Sequence, residues 1–92
     1  MATKFPLGHV VATPAALETM SSMDGMVNSN TLLRRHASGD WGDVDPNDAG
    51  MNDEALKTGD RIFSVYKFGP KTFWVITESS RDITTILLPQ DY

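Results

Sequence analysis

His36 follows two arginines, Arg34 and Arg35, and precedes Asp40 by four residues, within the run RRHASGDWGDVDPNDAG. A histidine oriented by a carboxylate can serve as a general base, and a nearby guanidinium can stabilise an anionic transition state. The same residues have a quieter use. His36 shares the helical face of Leu32 and Leu33, where a partly buried imidazole hydrogen-bonded at a helix end is the commoner outcome. The chain has no cysteine, so thiol nucleophiles, disulfides and thiolate metal sites are excluded. Its serines lie in no strand-turn-helix elbow. Two histidines, His9 and His36, are too few and too far apart to indicate zinc. No catalytic set is assigned.

The spacing of Asp43, Asp45, Asn47 and Glu54 matches positions one, three, five and twelve of an EF-hand loop, where oxygen ligands surround calcium. Position six of that loop turns sharply and calls for glycine; here it is Asp48. Pro46 and Gly50 also fit badly, at positions four and eight. A helix start uses the same residues better. Asp45 caps, Pro46 takes the first helical position, and the Asp48 carboxylate, at the third, can bond back to the cap. No metal or other cofactor is expected. A third cluster, Glu78, Ser79, Ser80, Arg81, Asp82, Thr84 and Thr85, offers hydroxyls beside a cation that can hold a phosphate. It lacks a glycine-rich nest and reads better as a hairpin loop followed by a strand. Trp41, set between Gly39 and Gly42, reads as a plug over the sheet; exposed, it would serve as a binding anchor.

Charge is uneven. The net charge is −4, but between Asp40 and Asp60 seven acids (Asp40, Asp43, Asp45, Asp48, Asp53, Glu54 and Asp60) face Lys57 alone. The remainder has five acids and seven bases. Such a block repels nucleic-acid phosphates and attracts basic surfaces. Its bland counterpart is a solvated face. No apolar run approaches the ~20 residues of a membrane span, and the N-terminus lacks the apolar core of a secretory signal, so the expected compartment is the cytoplasm.

The elements that must position these groups follow from local signals. A short strand is expected over 5–11. Thr13 and Pro14 start a helix reaching Met20. The polar, glycine-containing segment 21–30 reads as a linker-like loop. Asn30 is expected to cap a second helix over 31–37, stopped at Gly39, and Asp45 a third, stopped at Gly59. RIFSVYKF, KTFWVITE and DITTILLP are rich in aromatic and β-branched residues and read as an antiparallel meander. Both faces of its middle strand are apolar, so that strand is expected to be covered on both sides. Tyr66, Trp74, Ile76, Ile86 and Leu88 are expected to be buried. The whole of 1–92 reads as one small α+β domain: an antiparallel sheet of three or four strands with two or three short helices on one face.

FPLGHVVATPAALE, RRHASGDWGDVD, NDEALKTGDRIFSVY and FWVITESSRDITTILLPQDY together resemble a family of short, mostly uncharacterised proteins carried by plasmids, phages and integrated elements of proteobacteria. Its pattern is a strand running into VATPGAL, an RHxxGDWGD turn, an NxxAL helix, an RxLSxY strand and WIITExDRSxTTxLLPxxY. Most of the chain is covered. The chain departs from the family where SSRD stands for xDRS, which removes a serine hydroxyl after Arg81. The resemblance also suggests phage inhibitors of type I CRISPR-Cas systems. It implies a counter-defence protein that binds a host CRISPR ribonucleoprotein complex, Cas subunits and guide RNA included, and excludes target DNA. Asp40, Trp41, Asp43, Asp45, Asp48, Asp53 and Glu54 would meet basic surfaces, with Arg34, Arg35, Lys67, Lys71 and Arg81 on guide RNA or acidic patches. Neither a membrane nor a small-molecule substrate is expected. On this view, reversing Asp43, Asp45 and Asp53 to lysine weakens binding far more than folding. Two alternatives are an enzyme like the small ribonuclease toxins, similar in element order only, and a metal-tuned regulatory module built on residues 43–54.

Overall fold

The computed structural model describes residues 3–92. Its elements are β1 (His9–Ala12), α1 (Pro14–Ser21), α2 (Ser29–Ala37), α3 (Pro46–Thr58), β2 (Ile62–Phe68), β3 (Lys71–Thr77), β4 (Ile83–Leu87) and a closing 3-10 turn, Pro89–Asp91. The α+β class is the one expected. The strands form one sheet in the order β1-β4-β3-β2. The last three strands make the antiparallel meander, but β1 runs parallel to β4. The sheet is therefore mixed, not antiparallel throughout. Three helices fill the connection from β1 to β2, which lets β1 dock beside β4 in the same direction. The His9 amide donates to the Asp82 carbonyl (2.7 Å) and the Thr13 amide to that of Ile86 (3.0 Å). Gly8 permits this approach. Its φ is +67°, and a Cβ there would strike the Arg81–Asp82 main chain.

Helix starts follow local chemistry. The Thr13 hydroxyl accepts the Ala16 amide (3.1 Å), and Asp45 accepts that of Asp48 (2.8 Å). The reverse half of a capping box does not form at α3; Asp48 lines a groove instead. The second helix starts two residues earlier than expected, because Asn28, not Asn30, caps it and accepts the Thr31 amide. Val27, just before the cap, and Leu32 share one core cluster, so a hydrophobic staple selects between the two asparagines. Val27 is buried, and the segment 21–30 is thus tied to the core rather than being a linker.

The three helices lie on one face of the sheet. Ala16 and Met20 of α1, Leu32 of α2 and Val27 pack on Tyr66, Phe73, Val75, Ile86 and Leu88. Ala55 of α3 packs with Ile62, Phe5 and Trp41 near the β2 edge. Phe5 belongs to this second cluster and not to β1, which starts later than expected. Tyr66, Ile76, Ile86 and Leu88 are buried as expected; Trp74 is not. Its strand is covered by helices on one face only, because three helices suffice for one face of a four-stranded sheet and none remains for the other. No helix among the described residues is long and apolar enough to cross a membrane.

Candidate functional site

The run 34–43 turns inward. Gly42 forms a bridge to Val65 on the outer edge of β2. The Val65 amide donates to the Trp41 carbonyl (3.1 Å), and the Asp43 amide donates to the Val65 carbonyl (2.6 Å). Gly42 has φ +74°, and a Cβ would collide with the Val65 carbonyl and the Tyr66 ring. Two side chains extend this edging along the strand. Asn52, buried on α3, accepts the Phe63 amide (3.0 Å) and donates to its carbonyl (2.7 Å). The Asp43 carboxylate accepts the Lys67 amide (2.8 Å). The outward-facing main-chain groups of Phe63 and Val65 and the Lys67 amide are thus satisfied, which blocks this edge to another strand.

The remaining motif residues hold this turn in place. Arg35 binds Asp40 through two nitrogens (2.7 and 3.3 Å) and lies over the Tyr66 ring, 4.5 Å from its centroid. The guanidinium holds the Asp40 carboxyl below the usual range. Tyr66 donates to the Asp40 carbonyl (2.7 Å), and burial pushes its phenol up to about 12. The Trp41 indole donates to Asp53 (3.0 Å), and its ring is 7% exposed. Trp41 is therefore the core plug and not an exposed anchor. Arg81, in a left-handed conformation (φ +62°), donates to the carbonyls of Ala55, Glu78 and Asp60. Its charge closes the C-terminal end of α3 instead of facing a partner. Arg34 alone of the three arginines is exposed without a hydrogen-bond or ion-pair partner among the described residues.

His36 is sealed. Its Nδ1 lies 2.6 Å from the Ser64 hydroxyl and its Nε2 2.9 Å from that of Thr77. Thr77 meets Thr84 at 2.7 Å, and Thr84 donates to the Leu7 carbonyl (2.7 Å). A carbonyl only accepts, which sets every proton in the chain. Thr84 gives its proton to Leu7, Thr77 to Thr84, and His36 Nε2–H to Thr77; Ser64 then donates to Nδ1. The imidazole is neutral, and burial, reinforced by the Arg81 charge, pushes it down to about 3. Ser64 and His36 have the contact of a nucleophile and its base, but both are fully buried, away from any substrate. The Arg34–His36–Asp40 constellation does not converge: Asp40 faces Arg35, not the imidazole.

The acidic block separates into two groups. Asp40, Asp43, Asp45 and Asp53 accept the structural bonds described above. Triple reversal of Asp43, Asp45 and Asp53 would therefore disturb the fold, contrary to the expectation from the sequence. Asp43 and Asp45 serve different amides, and no three histidine, aspartate or glutamate side chains among the described residues gather as a ligand set. Asp48 and Glu54 form no hydrogen bond through their carboxylates among the described residues and stand around a groove of about 620 Å³, with Asp60, whose carboxylate accepts the Thr58 hydroxyl (2.8 Å). Phe63, Trp74 and Ile76, on the sheet face without helices, form its floor, and Met51, 63% exposed, stands on the α3 side. Tyr92 forms the far wall, its ring 5.5 Å from that of Trp74, which meets Phe63 edge-on at 5.0 Å. Arg61 donates to the Tyr92 hydroxyl (2.8 Å) and lies over its ring.

Of the groove residues, Asp48 and Glu54 are among the expected site residues; Met51, Asp60, Arg61, Phe63 and Tyr92 are not, and Trp74, expected in the core, lines the groove. The available signal was the presence of aromatics on both faces of KTFWVITE with too few helices to cover both. Compared with family models, with curated proteins and with solved structures, the chain matches none.

Proposed function

We propose that this chain is a counter-defence protein of a mobile element, acting in the cytoplasm of a bacterial host. It docks its acidic face on the basic, nucleic-acid-binding surface of a type I CRISPR surveillance complex and keeps target DNA out. The observation that carries this reading is the disposition of charge. Asp48, Glu54 and Asp60 surround an open aromatic groove, and none of them forms an ion pair among the described residues. Carboxylates held on a rigid helix compete with phosphates for arginine- and lysine-lined channels. Aromatic area beside them supplies the desolvated contact that charge alone lacks. The resemblance to mobile-element proteins supplies the biological setting.

The test uses a purified type I complex and labelled target DNA. The protein is expected to block DNA binding, with an association rate that falls as salt rises. The doubly substituted Asp48→Lys, Glu54→Lys variant, whose changes avoid the bonds that hold the turn, is expected to associate about tenfold more slowly. Full DNA binding in the presence of saturating protein would overturn the proposal.

A further inference from the structure

Resting on the reading of this chain as a binder of basic surfaces, we infer that the groove between α3 and Tyr92 is the anchoring site for an arginine side chain of the partner protein. That side chain would be stacked on Trp74 and Phe63 and paired with Glu54 and Asp48. Three observations converge. The floor presents two partly exposed aromatics, Phe63 and Trp74, beside the buried Ile76, on a sheet face that no helix among the described residues covers. The rim holds three carboxylates, and its one cation, Arg61, is engaged with Tyr92. Finally, the groove wall already accepts this chemistry. The Arg61 guanidinium sits 5.6 Å from the Tyr92 ring centroid while donating to its hydroxyl.

A planar guanidinium suits the site better than an ammonium. It stacks on aromatic faces, is more weakly hydrated and can donate to two carboxylates at once. The volume lies within the ~300–1,000 Å³ of sites that enclose small ligands, enough for the side chain and its flanking backbone. A row of aromatics on a sheet also suits stacked bases. Here the carboxylates of Asp48, Glu54 and Asp60 would face the phosphates, so a protein segment is the occupant the charge favours.

The experiment titrates the isotope-labelled full chain with a capped hexa-arginine peptide, with hexalysine and with a six-residue oligouridylate. The two indole N–H resonances report separately on the buried Trp41 and the groove Trp74. Hexa-arginine is expected to shift the Trp74 indole and the Tyr92 ring saturably while the Trp41 indole stays still. Glu54→Lys, an exposed helix substitution, is expected to weaken that binding about tenfold. Trp74→Leu, followed by calorimetry, is expected to weaken it at least as much. Equal affinity and equal Trp74 shifts for hexalysine would overturn the choice of arginine. Binding that moves amides near Asp43 but leaves Trp74 unmoved would overturn the groove and leave the basic-surface reading standing. So would no peptide binding by a chain that still blocks target DNA. A Trp74 shift with the oligouridylate alone would overturn both.

Discussion

Trp41 sits in the most motif-dense part of the chain, bracketed by glycines and aspartates, and is wedged among Phe5, His36, Ala55 and Ile62 with its indole bonded to Asp53. Trp74 lies in an ordinary strand sequence, half-buried between Phe63 and Tyr92 on the bare face of the sheet. The density around Trp41 reflects what it takes to close the edge of β2: a glycine against Val65, a carboxylate for the Lys67 amide and an ion pair holding the turn. Those demands are specific, so they leave a signature. The surface around Trp74 arises differently, from the helices running out. It needs only aromatic side chains on two neighbouring strands and at the chain's last residue, with acids on α3 and just after it, which leaves no compact motif.

The largest effect that can break this comparison is on stability. Trp41→Ala is expected to cost about 3–5 kcal/mol, the range for removing a large buried aromatic, with the Asp53 bond lost as well. Trp74→Ala is expected to cost about 1–2 kcal/mol, since its ring is already partly solvated and the cavity left behind opens to water. Denaturant titrations of both variants check this. Equal costs would mean that Trp74 belongs to the core and that the bare face is not bare.

Next comes pH, which probes the Trp41 side through His36. The folded imidazole is pushed down to about 3, while the unfolded one titrates near its ordinary value of 6.5. Its contribution to stability is therefore complete above pH 6.5 and is lost as pH falls toward 3, with a limiting slope of about 1.4 kcal/mol per pH unit. By pH 5 the loss is expected to be about 2 kcal/mol, in a window where carboxylates scarcely protonate. Asp40 adds a second window. Held low by Arg35, it supports the fold above about pH 4 and ceases to as pH drops through its folded value. A stability curve flat between pH 7 and 5, or a His36 ring resonance that titrates near 6.5, would show that the imidazole is solvated.

Much of the fold was legible because its causes are local. Thr13-Pro14 and Asp45-Pro46 mark helix starts through side chains three residues from the amides they serve. RIFSVYKF and KTFWVITE, joined at Gly69-Pro70, declare a hairpin. The choice of Asn28 over Asn30 was less legible, because it depends on Val27 meeting Leu32 in a core that exists only after folding. The parallel pairing of β1 with β4 joins residues more than 70 apart, and no local spacing records it. The site was half legible for the same reason. Charge put Asp48 and Glu54 in view, but which acids are free depends on Asp43 reaching Lys67 and Asp53 reaching Trp41 across the fold. Asn52 carries a weak signal, an amide on the apolar side of α3, and its role as the partner of a strand edge needed the geometry.

The smallest effect separates two aspartate and glutamate positions that composition treats alike. Asp43→Lys and Glu54→Lys change the net charge equally, and both residues are exposed. Asp43 accepts the Lys67 amide at the open end of β2, whereas Glu54 lines the groove and accepts no hydrogen bond through its carboxylate among the described residues. Losing one hydrogen bond to a partly solvated amide is expected to cost about 1 kcal/mol. A lysine at position 54 is expected to change stability by no more than about 0.5 kcal/mol. Hydrogen exchange locates the difference. The Lys67 amide should exchange faster in Asp43→Lys than in the parent and unchanged in Glu54→Lys, while the neighbouring Val65 amide, bonded to the Trp41 carbonyl, stays protected in both. Asp43→Asn is the control that isolates the bond from the charge. Its side-chain oxygen can still accept from Lys67, so stability and Lys67 exchange should match the parent although one negative charge is gone. If Asp43→Asn instead behaved like Asp43→Lys, the charge of the turn, and not the edge bond, would be holding the strand, and the division between structural and free carboxylates would have to be redrawn.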